Sequence, residues 1–358
     1  MKKLLLFPYH PDIELLAEKS DMLQGVSIAG VHSFREDLAA VAAVNETLGC
    51  TGNFTEMLAQ CDTVLLLDDY RNSEMKKYYD VMQEALGAGK QVMITPGMAH
   101  KLDLSGYRGQ YAVLSHMPEE SSANTGTQVG SEQKKHIIES PVAAVFGMGK
   151  NCCKFENQIL LKSVLDREGY ALVWVSSNPL GALFGAYTMP DFLFDGHLAL
   201  EEKVIRFNRF LYGLSVSHAP DLFVIGVPEG ISEFSVHEYN HFAEYPLVIG
   251  SAVSVDSAVL CTYFMPKLDM AGMAGMALHC RERFGFPVQM ASVGRTAFVQ
   301  QSEDKQIAYL YLKEEYLRKH YETCPDQPDV YAGVWETEKI QAAIRKTVGR
   351  LEGNPDAI

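Results

Sequence analysis

Short apolar runs and helical stripes alternate along the N-terminal third of the chain. Lys3–Pro8 reads as a strand, followed by a short helical pattern through Leu15, Leu16 and Leu23, and Val26–Val31 reads as a second strand. Asn53-Phe-Thr-Glu opens like a capped helix, because the Asn or Thr side chain can satisfy a free amide. Thr63–Leu67 is a β-branched and leucine run ending at Asp68 and Asp69. A helix is expected from Ser73, with Met75, Tyr78, Tyr79, Met82 and Leu86 on one side and Gly87 and Gly89 closing it, before a strand at Gln91–Thr95. Strands joined through helices of that length need crossovers, so a parallel sheet follows.

The pattern restarts after a polar stretch, PEESSANTGTQVGSEQ, between Pro118 and Gln133. Pro141–Phe146 reads as a strand, and a helix follows with Phe155, Ile159, Leu160, Val164 and Leu165 as its apolar positions and Gly169 as its end. Further strands are expected at Tyr170–Val175, Asp221–Val227, Leu247–Ile249, Ala258–Cys261 and Val288–Met290. Helices are expected at Glu201–Leu214, Ala271–Phe284, Glu314–Tyr321 and Glu338–Leu351, with a loop from Pro325 to Pro328. The pattern predicts an α/β protein of two Rossmann-like, doubly wound units. Residues 1–117 form the first, 118–136 a linker, 137–300 a degenerate P-loop-like second unit, and 301–358 a C-terminal helical extension.

Composition narrows the function class. The 358 residues are 47% hydrophobic and 21% charged, within the globular range. A formal charge of −14 disfavours a broad nucleic-acid or anionic-membrane surface. The run Leu4–Phe7 is shorter than the roughly 7–15 residues of a secretory h-region, and no stretch reaches the roughly 18 apolar residues of a span. Seven scattered cysteines make no disulfide framework, so the expectation is a cytoplasmic protein with reduced thiols.

The most informative stretch is AAVFGMGKNCCKFENQILL, where a strand delivers a glycine-rich turn into a helix. Unpaired amides and the helix dipole favour an anion there, with Gly147 and Gly149 allowing close backbone approach. Lys150 and Lys154 would add charge, and Asn151 a polar contact. The alternative is a tight corner with its lysines in water. Aligning Lys154 with the P-loop lysine puts Cys153 at the preceding glycine, Phe155 at the magnesium-binding hydroxyl and Met148 at the first glycine. A phenylalanine cannot ligate magnesium, which argues against ATP hydrolysis by the standard route. A thiol at a helix N-terminus beside two lysines is expected to be acidic, which makes Cys152 a conditional contact to a thiol-bearing ligand. The alternative for Cys152 and Cys153 is small side chains filling a close-packed corner.

Neighbouring strand ends offer further candidates. Glu229, in PDLFVIGVPEGI, could face the Gly147 turn, and Ser176, at the end of Tyr170–Val175, could add a hydroxyl. Asn157 and Gln158 could face ligand or solvent. HEYNHF sets His237 and His241 four apart beside Glu238, but without the HExxH spacing no metal is assigned. His10, Asp68 and Asp69 could line a pocket of the first unit, and no catalytic residue is assigned.

GMGKNCCKFENQ, FNRF and PDLFVIGVPEG together resemble a protein family found in clostridial ribosomal-peptide maturation systems, with the motifs concentrated between about 141 and 232. That resemblance implies an accessory protein whose partners are a precursor peptide and a radical SAM maturase. The second unit is also similar to the P-loop domain of dethiobiotin-synthetase-like proteins, from which it departs at Cys153, Phe155, Gly226 and Pro228. The expected function is therefore binding of an anionic ligand or peptide at 147–155, with a nucleotide as one candidate cofactor. The alternative is an ATP-dependent phosphotransferase or ligase with an altered P-loop. Self-association as a homodimer is left open.

Overall fold

The computed structural model describes residues 1–50, 52–68, 75–118, 134–233, 238–300, 307–322 and 331–352. The chain divides into two compact units, Met1–His116 with Pro179–Ala186, and Met117–Asn178 with Tyr187–Ile358. Both are α/β and each is built on a parallel sheet.

In the first unit, β1 (Lys2–Phe7), α1 (Asp12–Glu18), β2 (Val26–Val31), α2 (Leu38–Thr47), α3 (Phe54–Gln60), β3 (Thr63–Leu66), α4 (Met75–Gly87), β4 (Gln91–Ile94), α5 (Pro96–Lys101) and β5 (Tyr111–Val113) follow in order. The five-stranded sheet runs β2-β1-β3-β4-β5, all parallel, so the chain reverses direction about β1. Its core gathers Leu5, Phe7, Val64, Leu66, Tyr78, Val81 and Met82. The expected cap of α3 is present: Asn53 accepts from the Glu56 amide while Glu56 accepts from the Asn53 amide. Pro179–Ala186 joins this unit, with the Gln24 amide donating to the Leu183 carbonyl at 2.8 Å. Asp69 and the expected helix start at Ser73 lie outside the described residues, as does the linker between 119 and 133.

The second unit begins with β6 (Val142–Gly147), α6 (Lys154–Glu168), β7 (Leu172–Ser176), β8 (Tyr187–Thr188), α7 (Leu200–His218), β9 (Leu222–Gly226) and α8 (Glu244–Ala252). It continues with β10 (Ser257–Thr262), α9 (Met270–Phe284), β11 (Val288–Val293), β12 (Thr296–Gln300), β13 (Ile307–Tyr311), α10 (Glu314–His320), β14 (Tyr331–Gly333) and α11 (Thr337–Glu352). Seven parallel strands run β14-β11-β10-β6-β9-β7-β8, and β12 and β13 form a separate antiparallel hairpin. Strands β6, β9 and β10 are buried along their whole length, which is why they read as continuous apolar runs instead of alternating ones.

Two expectations are corrected here. Leu247–Ile249 belongs to helix α8, not to a strand. A short apolar run does not distinguish the two by period, and the spacing of buried Tyr245, Val248, Ile249 and Ala252 is helical. The segment from 301 is not simply a helical extension: β14 pairs in parallel with β11, and the Arg345 guanidinium on α11 bonds Glu168 of α6 at 2.7 Å. The loop expected at Pro325–Pro328 lies outside the described residues.

Candidate anion-binding site

β6 is flanked by β10 and β9; the crossover from β6 to β7 runs to one side of it and the crossover from β9 to β10 to the other, and such a reversal is the position at which open α/β sheets carry ligands. The turn leaving it is tight. The Met148 amide stays bonded to the Cys261 carbonyl at 3.0 Å, and Asn151 and Cys153 both take left-handed backbone conformations, with φ of 55° and 60°. Cys153 thus holds the conformation that glycine adopts freely, directly before Lys154 starts α6. No side chain caps that helix start. A Cβ on Gly147 would overlap the Cys152 sulfur, and one on Gly149 would lie 2.5 Å from the Tyr263 hydroxyl, which donates to the Lys150 carbonyl at 2.6 Å. Both glycines therefore make room for atoms of the protein itself.

The two lysines do not point away into water. The Lys154 ammonium folds back across the turn and donates to the carbonyls of Gly149, at 3.0 Å, and Glu229. The Lys150 ammonium pairs with the carboxylates of Glu229 at 3.1 Å and Glu238 at 3.3 Å. Burial pulls the Lys150 ammonium down, but these two carboxylates outweigh it and hold its pKa above the ordinary lysine value. Lys150, Lys154, Glu229 and Gly149 thus converge, whereas Asn151 is half-buried at the turn's left-handed corner.

The cysteine expectation is corrected. Cys152 has no exposed surface, its thiol donates to the Gly149 carbonyl at 3.1 Å, and burial pushes its pKa up despite the nearby Lys154. An acidic, accessible thiol is absent at this position because desolvation outweighs the helix end and the lysine. Cys153 is likewise pushed up by burial, and its sulfur accepts from the Arg295 amide at 3.3 Å. All six described cysteines are free thiols.

Ser176 is turned to an internal task. Its hydroxyl donates to Gln158 Oε1 at 3.0 Å, which also accepts the Trp174 indole N–H at 3.0 Å, and it accepts from the Asn178 amide at 3.2 Å. Asn157 and Gln158 face inward, with the Asn157 amide nitrogen donating to the Cys153 carbonyl at 2.9 Å. Phe155 is buried and stacks on Trp174, so no hydroxyl stands where a P-loop holds magnesium.

Sequence reasoning missed the parts that four side chains play in completing the site. Tyr263 anchors the turn, and Arg295 forms a half-buried ion pair with Glu156 in the first turn of α6. Glu238 pairs with Lys150. Asn240, His241, Phe242 and Ala243 are consecutive left-handed residues, with φ between 46° and 62°. L-residues avoid such runs, at roughly 1–2 kcal/mol per residue. Asn240 holds the run against the turn, donating to the carbonyls of Ser232 at 2.8 Å and Met148 at 3.3 Å. His237 lies outside the described residues, and among the described residues no group of three or more His, Cys, Asp or Glu is placed to hold a metal ion. In the first unit, His10 accepts from the Asp12 amide at 3.1 Å, and burial raises the Asp68 carboxyl against a Thr95 hydrogen bond. No helix among the described residues is long and apolar enough to cross a membrane.

No protein-family model matches the chain, and no curated protein does. Among solved structures it is similar to a DUF1611 family protein from Anabaena variabilis ATCC 29413, with a TM-score of 0.61 and 9% identity over 97% of this chain and 100% of that one. A nucleotide-binding protein in complex with ADP from Archaeoglobus fulgidus matches 61% of this chain and 90% of its own, with 13% identity and a TM-score of 0.29. The second likeness is too distant to carry an argument. At 9% identity the first concerns the fold alone.

Proposed function

We propose that the second unit binds an anionic ligand at 147–155, without hydrolysing nucleotide, as an accessory factor in the maturation of a ribosomally synthesised peptide. One observation carries the binding reading. The Lys154 ammonium is held by two backbone carbonyls and, among the described residues, by no carboxylate, at the start of a helix with no side-chain cap. A phosphate or carboxylate oxygen gives that ammonium a charged acceptor in place of neutral ones, and charge-assisted hydrogen bonds are roughly twice as strong. The dipole of α6 adds to the attraction. Lys150 plays a different part, because Glu229 and Glu238 already neutralise it and a ligand must compete with them. The peptide-maturation setting rests on the resemblance of GMGKNCCKFENQ, FNRF and PDLFVIGVPEG.

Phe155 favours binding over phosphoryl transfer, since the residue after the loop lysine offers no magnesium ligand. Titration calorimetry with pyrophosphate, ADP and ATP, each with and without Mg²⁺, tests the reading. Binding that survives removal of Mg²⁺ and is lost in Lys154→Ala is the expected result. Magnesium-dependent ATP turnover sensitive to Lys154→Ala would establish the phosphotransferase alternative, and no binding of any of the three would remove the site.

A further inference from the structure

We infer that Glu229 and Glu238 form an acidic latch that holds the Lys150 ammonium out of the anion site until a multiply charged, diphosphate-like anion draws it across to join Lys154. The inference rests on the anion-binding reading above and adds the control of that same site.

The balance of charge at the corner gives the first reason. One ammonium stands between two carboxylates, Glu229 at 3.1 Å and Glu238 at 3.3 Å, so the trio carries one negative charge in excess. An anion approaching Lys154 meets that excess directly, because Glu229 serves both lysines: its carbonyl accepts from Lys154 and its carboxylate pairs with Lys150. The two ammonium groups thus meet on a single residue. A ligand with charge enough for both offers Lys150 new charged acceptors in place of the carboxylates, and the released ammonium turns from a neutralised neighbour into a second anchor.

Exposure and backbone constraint decide which partner moves. The Lys150 side chain is 44% exposed, against 20% for Glu229 and 15% for Glu238. Its charge ends a flexible four-carbon stem, while its backbone stays with the turn through the Tyr263 hydroxyl, which donates to the Lys150 carbonyl at 2.6 Å. The carboxylates are fixed more firmly. Glu229 takes a left-handed backbone conformation, with φ of 55°, and its carbonyl is tied to Lys154. Glu238 lies two residues before Asn240, which is 1% exposed and donates to the carbonyls of Ser232 and Met148. The lysine side chain is therefore the member free to swing, and the two carboxylates keep it charged against the pull of burial.

Titration calorimetry with pyrophosphate on wild type, Glu238→Gln, Glu238→Asp and Lys150→Ala tests the latch, with thermal melts to show that each variant is folded. Glu238→Gln is expected to bind pyrophosphate roughly 3- to 30-fold more tightly than wild type, the span between an exposed ion pair and a hydrogen bond to a charged group. Glu238→Asp keeps the charge but is one carbon too short to hold the ammonium, so it should gain in the same direction. Lys150→Ala should bind more weakly than wild type. Unchanged or weaker binding in Glu238→Gln would overturn the latch, and so would Lys150→Ala with wild-type affinity. A gain in Glu238→Gln with none in Glu238→Asp would also overturn it, since repulsion at a distance would then account for the effect without the contact. If pyrophosphate binds wild type through Lys154 and any of these results appears, the latch alone is wrong. If pyrophosphate binds neither wild type nor Glu238→Gln, the anion site falls with it.

Discussion

β1 and β6 hold equivalent places in their sheets, each flanked by neighbours on both sides and each leading to a helix, but their exits differ in sign. At the end of β1 the amides of α1 are already taken. Asp12 donates to the His10 imidazole, and Ile13 and Glu14 donate to the His10 and Pro11 carbonyls. The first turn of α1 also carries Asp12 and Glu14, with Glu14 held by the Tyr9 hydroxyl at 2.6 Å. At the end of β6 the helix opens on Lys154, without a side-chain cap. A strand–turn–helix is therefore not an anion site by topology. What decides is which groups satisfy the first-turn amides and which charge stands among them.

Lys154→Ala removes that difference and carries the largest expected effect. Pyrophosphate affinity should fall roughly 10- to 100-fold, the loss typical of a hydrogen bond to a charged group. Lys154→Arg should keep much of it. Retained affinity in Lys154→Ala would show that the two exits are alike in function. Gly149→Ala attacks the shape of the turn instead. Its Cβ would lie 2.5 Å from the Tyr263 hydroxyl, so the variant should lose about 1–3 kcal/mol in denaturant unfolding. Tyr263→Phe should recover part of that loss in the double variant, because it deletes the overlapping atom.

The framework of this site was legible in the sequence, and its completion was not. The run before Gly147, the lysine opening a helix and the Pro-Glu-Gly bend are local patterns. They led to β6, α6 and to Glu229 beside the turn. Tyr263, Asn240 and Arg295 reach the same corner across 113, 92 and 139 residues of sequence, and no spacing rule connects them. Cys152 failed for a related reason. The local rule of a thiol at a helix start was sound, but burial is a tertiary property and it dominated. Helix α2 went unread although its Leu-Ala-Ala-Val-Ala-Ala core has high helix propensity, because alanines blur the stripe that separates buried Val41 and Val44 from the exposed face.

Acid sharpens the contrast from the side of the first unit. His32 packs between Phe7 and Phe54, with ring centroids 5.7 and 4.5 Å away, and burial together with nearby Lys77 lowers its pKa from 6.5 to about 4. Between those values the unfolded chain binds a proton that the folded unit refuses, so unfolded chains gain on acidification. The His32 contribution to the stability of the first unit should stay level above pH 6.5 and decline as pH falls toward about 4. His32→Gln should flatten that part of the profile in thermal melts taken across the range.

The smallest effect tests the backbone strain of the run Asn240–Ala243 beside the exit from β6. Ala243 is fully buried with φ of 62°, a conformation that costs an L-residue but not glycine. Ala243→Gly relieves one residue's share of the strain and raises stability by about 1 kcal/mol, less whatever chain entropy glycine adds to the unfolded state. The same substitution in a right-handed helix would destabilise by about the same amount, so the sign of the change is the result that matters. Position 219 supplies the control. Ala219 also has positive φ, at 43°, but it caps α7 at its C-terminal end, where a single left-handed residue is common. Ala219→Gly should therefore stabilise whatever the run does. A rise at 219 with a fall at 243 would overturn the account of residues 240–243 as a strained run beside the exit from β6.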